Sequence, residues 1–217
     1  MRARVSVLDR PGSLLAMTKV IADMGGNIVD IEVLATAEGR VVDDLIVELP
    51  SNDPERLIKE LANTGAEVLN LRKTVQITGQ RADLDLLARV AAHPIDMMAT
   101  VVSLAPSVWC ADWAALATSE DGATPLHATA GVPKPLPTGM PEPMGPLPRR
   151  GTAHTANGTT YEVVSLQWGN HHLYIGRVDG PTFLQVELVH LRRVVELASA
   201  ISAGATVDIR ASEASPV

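Results

Sequence analysis

Between Arg2 and Leu8 the apolar residues Ala3, Val5 and Val7 alternate with Arg4, Ser6 and Leu8, the period of a half-buried strand. Asp9-Arg10-Pro11-Gly12 breaks it, because proline fixes φ and lacks an amide donor while glycine permits a close turn. The period then changes to that of a helix. Leu14, Met17, Thr18, Ile21 and Met24 form one stripe with Leu15 and Val20 at its margins, capped by Gly12 or Ser13 and closed by Gly25-Gly26. Ile28 to Leu34 and Val41 to Leu49 are rich in β-branched residues and are joined by a hairpin at Ala37-Glu38-Gly39-Arg40. Asp53, with Pro54 after it, starts a second helix carrying Leu57, Ile58 and Leu61, and Gly65 ends it. Glu67 to Thr78 is a last strand. The order β-α-β-β-α-β over residues 2–78 is the split-βαβ, ferredoxin-like arrangement.

After Gly79 the pattern changes. Asp83 to Ser103 is helical, with Leu84, Leu87, Val90, Ala91 and Ile95 near one face and a break at His93-Pro94. Asp112–Ala117 and Leu126–Gly131 read as paired strands around the turn Ser119-Glu120-Asp121-Gly122. Residues 132–150 hold seven of the chain's fifteen prolines and read as an extended, mobile loop. Tyr161–Leu166 and His172–Val178 form a hairpin bent at Gly169-Asn170. Gln185 to Ala203 is a long helix with Leu184, Leu188, Leu191, Val195, Ala198 and Ile201 inward and Glu187, Arg192, Arg193 and Glu196 mostly outside. Residues 204–217 are small and polar and read as a flexible tail. The fold class is α+β, in two domains, 1–78 and about 83–203.

Composition narrows the function more than the fold. The net charge of −7 divides into −3 for residues 1–78 (nine basic, twelve acidic) and −4 for the remainder (nine basic, thirteen acidic), with no basic face. That argues against nucleic acid. The single cysteine, Cys110, excludes an intramolecular disulfide framework and fits a reducing compartment. The apolar run at the N-terminus is too short for a signal peptide, and the one around Ile95 to Trp113 is interrupted by Asp96, Pro106 and Asp112, so no membrane span is expected. A cytoplasmic location is expected.

Catalytic and metal motifs are missing. There is no glycine-rich dinucleotide fingerprint, phosphate loop or nucleophile elbow. No histidine or cysteine spacing suits a metal, and adjacent His171 and His172 point to opposite faces of a strand. No cofactor is expected. Asp43-Asp44 reads as a solvated edge rather than an acid pair. Trp109 and Trp113 read as core fillers around an inert Cys110, and His127 and Tyr174 as polar hooks toward one cavity.

The Asp9-x-Pro11-Gly12-x-Leu14 turn, the Gly26-Asn27-Ile28 start of the second strand and the Asp53-Pro54 helix resemble the ACT domain, over residues 2–78. The resemblance implies a regulatory domain that binds a free amino acid between the first strand and first helix, commonly against a second subunit. It places Arg10, Pro11, Gly12, Ser13 and Leu14 at the ligand through backbone and shape, with Ile28 beside them and Asn27 supplying a side-chain amide. The helix, hairpin, long insertion, second hairpin ending in Leu173-x-x-Gly176-Arg177 and final helix resemble a GAF domain, with a proline-rich loop where that family's cavity is usually covered. These resemblances imply a non-enzymatic, allosteric sensor, homodimeric, with an unidentified protein partner for its output. The alternatives are a ligand-free assembly module, or an enzyme or nucleotide sensor using the GAF-like cavity.

Overall fold

The structure is a computed structural model that describes residues 1–37, 39–51, 53–73, 81–118 and 124–213, with residue 37 and residues 205–213 described as backbone only. The chain divides into two units, Met1–Gln80 and Arg81–Val217. The first has the order β1 (Arg2–Leu8), α1 (Ser13–Asp23), β2 (Asn27–Ala37), β3 (Arg40–Glu48), α2 (Pro54–Asn63) and β4 (Glu67–Arg72). Its strands form an antiparallel sheet in the order β2-β3-β1-β4. The fold is the α+β, ferredoxin-like one that the periodicity predicts. Part of the predicted hairpin, at Glu38, and the last strand beyond Lys73 lie outside the described residues.

The core of this unit is aliphatic. Ala3, Val5 and Val7 of β1 and Leu45 and Val47 of β3 meet Met17 and Ile21 of α1 and Leu57 and Leu61 of α2. The predicted α1 stripe is too wide: Leu14 is 45% and Leu15 71% exposed. Only the turns of α1 past Leu15 bury their apolar face. Gly25 supplies a left-handed turn after the helix at φ 73°, and Gly26 packs so closely that a Cβ there would lie 2.4 Å from Leu49 and 2.9 Å from the Glu48 carbonyl.

The second unit runs α3 (Ala82–Ala92), a 3-10 turn at Pro94–Asp96, α4 (Met97–Val108), β5 (Trp113–Thr118), β6 (Pro125–Ala128), β7 (Arg149–His154), β8 (Thr160–Trp168), β9 (His171–Val178) and α5 (Gln185–Glu213). Its strands make an antiparallel sheet in the order β6-β5-β9-β8-β7. The helix break falls at His93-Pro94, as proline requires. Leu86 and Val90 face the core, whereas Leu84 and Ile95, placed on the predicted face, are 58% and 91% exposed. The predicted turn at Ser119–Gly122 lies outside the described residues. β7 is a strand without an apolar alternation to announce it, held by its ladder to β8. α5 continues to Glu213, ten residues past its predicted end at Ala203 and into the stretch read as a flexible tail.

Both faces of this sheet are covered. Ala114, Leu116, Val164, Leu166, Leu173 and Ile175 face the layer of α3, α4 and α5. Trp113, Ala115, Ala117, Tyr161, Val163 and Tyr174 face the other way and are covered by Val132, Leu136 and Met140 of the proline-rich segment. That segment is therefore a packed cover and not the free loop its composition predicts. Pro137 and Pro143 are buried, and Thr138 bridges to His154.

Candidate functional site

The turn between β1 and α1 is fixed by its own backbone. The Asp9 amide donates to Gly39 O at 2.8 Å, the Ser13 amide to Arg10 O at 3.3 Å, and the Ser13 hydroxyl to Leu8 O at 2.8 Å. Gly12 is the N-cap at φ 92°, a left-handed conformation that favours glycine. No side chain caps α1 and its first turn has no acidic residue. The geometry of a helix start leaves the Leu14 and Leu15 amides without an intrahelical acceptor. α2 differs: the Asp53 carboxylate accepts from the Arg56 amide at 3.0 Å. The start of α1 is thus an uncapped, electropositive helix terminus, with Arg10, Pro11, Gly12 and Leu14 exposed around it and Ser13 half-buried.

Asn27 and Ile28 are elsewhere. Asn27 pairs with Glu48, whereas the turn sits beside the Leu8–Arg40 pair. The two ends of β2 are ten residues apart, roughly 30 Å at strand rise. Within one chain Arg10, Pro11, Gly12, Ser13 and Leu14 come together, and Asn27 and Ile28 do not join them. Ile28 packs against the core and Asn27 is exposed. β2 is also a sheet edge, and it carries Val33 65% and Ile31 39% exposed.

Asp43 and Asp44 are not a solvated edge. β3 is an inner strand, and the two side chains are 5% and 4% exposed on opposite faces of the sheet. Asp44 lies opposite Arg4, whose guanidinium grips it through Nε at 3.1 Å and Nη2 at 2.8 Å, with Arg2 Nη2 adding a contact at 2.9 Å. Burial pushes the Asp44 carboxyl up, but the hydrogen bonds and charges of Arg4 and Arg2 together outweigh it and hold it below the ordinary carboxylate range. Asp43 has the opposite sign. It shares its face with Leu45 and Val47 and lies between Val5 of β1 and Val33 of β2. Its Oδ1 is buried without a hydrogen-bond partner. Burial, and then the neighbouring Asp44 charge, push its carboxyl up.

In the second unit the polar centre is structural. Gly176 of the Leu-x-x-Gly-Arg run leaves room for the Trp113 indole, which would lie 2.2 Å from a Cβ. Arg177 is 1% exposed and donates to the carbonyls of Trp109, Cys110 and Pro181. It pairs with Glu187 at 2.5 Å and stacks over Phe183 at 3.8 Å. Glu187, read from its helix position as an outer residue, is therefore buried. Its other oxygen accepts from the Leu184 amide at 2.8 Å, which makes it half of a capping box for α5. Trp109 and Trp113 are core fillers on opposite faces of the sheet. His127 and Tyr174 do not share a cavity: His127 pairs with Leu116 and faces its side, while Tyr174 pairs with Ala115 and faces the proline-rich cover. An open groove of about 430 Å³ lies between Leu147-Pro148 and the α5 residues Leu188, Val189, Arg192 and Arg193. Among the described residues, no three histidine, cysteine or acidic side chains gather as metal ligands, and no helix is long and apolar enough to cross a membrane.

Comparison with known proteins bears on the first unit. The family model of the ACT domain matches residues 1–66, from Met1 through α2 to the residue before β4. No curated protein matches the chain. Among solved structures, an unknown protein from Galdieria sulphuraria aligns over 94% of this chain and 91% of its own, with 11% identity and a TM-score of 0.31. The N-terminal unit of this chain is accordingly similar to the ACT domain in sequence as well as in strand order, and that similarity implies a regulatory role in binding small ligands.

Proposed function

We propose that this protein is a non-enzymatic sensor that binds a free amino acid at an interface between two ACT-like units. The observation that carries the reading is the uncapped start of α1 at Gly12, a glycine-led turn whose exposed amides suit a carboxylate. The separation of Asn27 from that turn supports a site built by two copies. If two β2 edges pair antiparallel about Glu32, Asn27 of one copy comes opposite residue 37 of the other, beside the Gly39 carbonyl that anchors the turn. The exposed Val33 and Ile31 would be covered by the same pairing. Arg10, Pro11, Gly12, Ser13 and Leu14 then line one side of the ligand, and Asn27, with Ile28 behind it, lines the other.

The second unit serves in this reading as a GAF-like receiver, homodimeric with the first and passing the signal to a partner protein. Its order of helices, hairpin, insertion, hairpin and helix supports that assignment. Its covered sheet faces and saturated Arg177–Glu187 centre favour a scaffold over a catalyst. Coupling between the units would equal the ligand's difference in affinity between two arrangements.

Thermal unfolding of the full chain against the twenty amino acids, with cyclic nucleotides in the same panel, tests this. A ligand at a hundred times its Kd should stabilise the protein by about 2.7 kcal/mol. The expected result is a selective shift that Asn27→Ala removes while the oligomeric state, read by light scattering, stays the same. A shift with nucleotides alone moves the ligand to the second unit. Silence throughout, with an intact dimer, leaves an assembly module.

A further inference from the structure

The open groove of about 430 Å³ in the second unit has α5 for one wall and the end of the proline-rich segment for the other. Gln185, Leu188, Val189, Arg192 and Glu196 recur every three or four residues and so share one face of the helix. From Gln185 to Glu196 that face runs about 16 Å, the reach of about five residues of extended chain. Leu147 and Pro148 make the opposite wall. Upstream, the same segment buries Val132 and packs Leu136 and Met140 on the sheet. Leu147 instead is 59% exposed, Val189 across from it is 40% exposed, and the buried Leu188 gives the groove an apolar floor.

The charges around this groove do not balance. Residues 79–217 carry a net charge of −4, yet Arg150, Arg192 and Arg193 stand at the groove against one lining carboxylate, Glu196. Arg192 Nε holds Glu196 at 2.6 Å. Arg150 donates through Nη1 to the Phe183 carbonyl, two residues before Gln185, so its guanidinium stands where α5 begins. Arg193 is exposed, and among the described residues its guanidinium has neither a hydrogen bond nor an ion pair. Two guanidiniums without a carboxylate thus flank an apolar strip. From Gln185 to Arg193 the helix rises about 12 Å, which about four residues of extended chain span.

We infer that the groove receives an extended segment of a partner protein, with two acidic residues about four positions apart and aliphatic residues between them. The aliphatic side chains lie on Leu147, Leu188 and Val189, and the carboxylates take Arg150 and Arg193. This assignment rests on the reading of the second unit as the one that passes the signal on, and it names the partner's chemistry.

The test is fluorescence anisotropy of the full chain with a labelled, end-blocked peptide Glu-Leu-Val-Leu-Glu, beside its Lys-Leu-Val-Leu-Lys counterpart. The expected result is saturable binding of the acidic peptide alone, weakened by salt. Arg193→Glu and Leu147→Asp, both at exposed positions, should each weaken it by about tenfold or more while circular-dichroism melting stays unchanged. No saturable binding, equal binding of the two peptides, or binding that either variant leaves undiminished overturns the assignment. Decanoate that displaces the peptide at equal affinity would make the groove a site for small aliphatic acids. A changed oligomeric state of Arg193→Glu, read by light scattering, would make it an interface between copies, and either result also overturns the assignment. The amino-acid panel run on the same wild-type protein keeps the two readings apart. A missing peptide response beside an intact amino-acid shift strikes the groove alone, and the reverse strikes the amino-acid site alone.

Discussion

The two sheets of this chain solve burial in different ways. The second is covered on both faces, by helices on one and by the proline-rich segment on the other, and its unit holds all six aromatic residues of the chain. The first has no aromatic residue, and one of its faces is apolar under two helices while the other carries the Arg2–Arg4–Asp44 network. Its edge strand shows Val33 to solvent, its first helix is uncapped, and one buried carboxylate oxygen lacks a partner. The second unit also buries polar atoms without partners, the ring nitrogens Trp109 Nε1, Trp113 Nε1 and His171 Nδ1, and its α3 and α4 start without a side-chain cap, but its central charged pair is satisfied. In the first unit the atom so placed is a carboxylate oxygen, the costlier kind to bury alone.

The largest effect should come from breaking the saturated centre. Arg177→Ala takes the guanidinium from the buried Glu187 carboxylate and removes the ties to the Trp109, Cys110 and Pro181 carbonyls, at a cost of about 3–5 kcal/mol. Trp109, Trp113 and Trp168, the chain's three tryptophans, all lie in the second unit, so indole fluorescence follows that unit alone. Unfolding by urea should show an earlier fluorescence transition. The amino-acid response of the first unit should survive; its loss would mean that the two units do not divide labour as described.

Asp44→Asn makes the corresponding break in the first unit. It takes the Asp44 charge away from the buried Arg4 guanidinium, for about 3 kcal/mol at neutral pH, at the low end for a broken buried pair because asparagine keeps a dipole toward the arginine. The pH dependence carries the sharper content. The folded-state pKa of Asp44 is depressed, so its contribution is present above the ordinary carboxylate range and lost as pH falls through the folded value. Wild type and variant should converge in acid, followed by circular dichroism with the tryptophan signal as the unaffected reference. Asp43, one residue away, works in the other direction. Its pKa is raised, so its ionisation penalty is full at neutral pH and relieved on acidification.

That opposition marks the limit of what the sequence discloses. The ferredoxin-like order was legible because alternation, a Pro-Gly turn and an Asp-Pro helix start are local signals. Two adjacent aspartates were not, since their roles depend on β3 being an inner strand and on Arg4 arriving from residues 40 positions away. Glu187 looked like a solvent-facing helix residue because helical period says nothing of an arginine presented from β9. β7, with Arg149, Arg150 and Gly151, carries no apolar alternation and exists through its ladder to β8. At the candidate site, the turn residues were legible from their glycine and proline. The separation of Asn27 from them, and the orphan oxygen of Asp43, needed the register.

The smallest effect probes the contrast between the two helix starts within the first unit. α2 has its own cap, and Asp53→Ala should remove one hydrogen bond to the Arg56 amide, worth about 1 kcal/mol. For a unit of this size that is a midpoint shift of roughly 4–8 °C in the circular-dichroism signal. Affinity for the amino acid should not change, because α2 meets its Arg56 amide with its own carboxylate and carries Glu55 in its first turn. α1 starts with a glycine at φ 92° and has no side chain to do the same. A cap in the protein and a ligand carboxylate answer the same need of a helix terminus, and of the two described helices of this unit α2 has a side-chain cap and α1 has none. An Asp53→Ala protein that lost ligand affinity along with stability would show that binding draws on the rigidity of the whole unit, and the distinction between the two helix starts would fall.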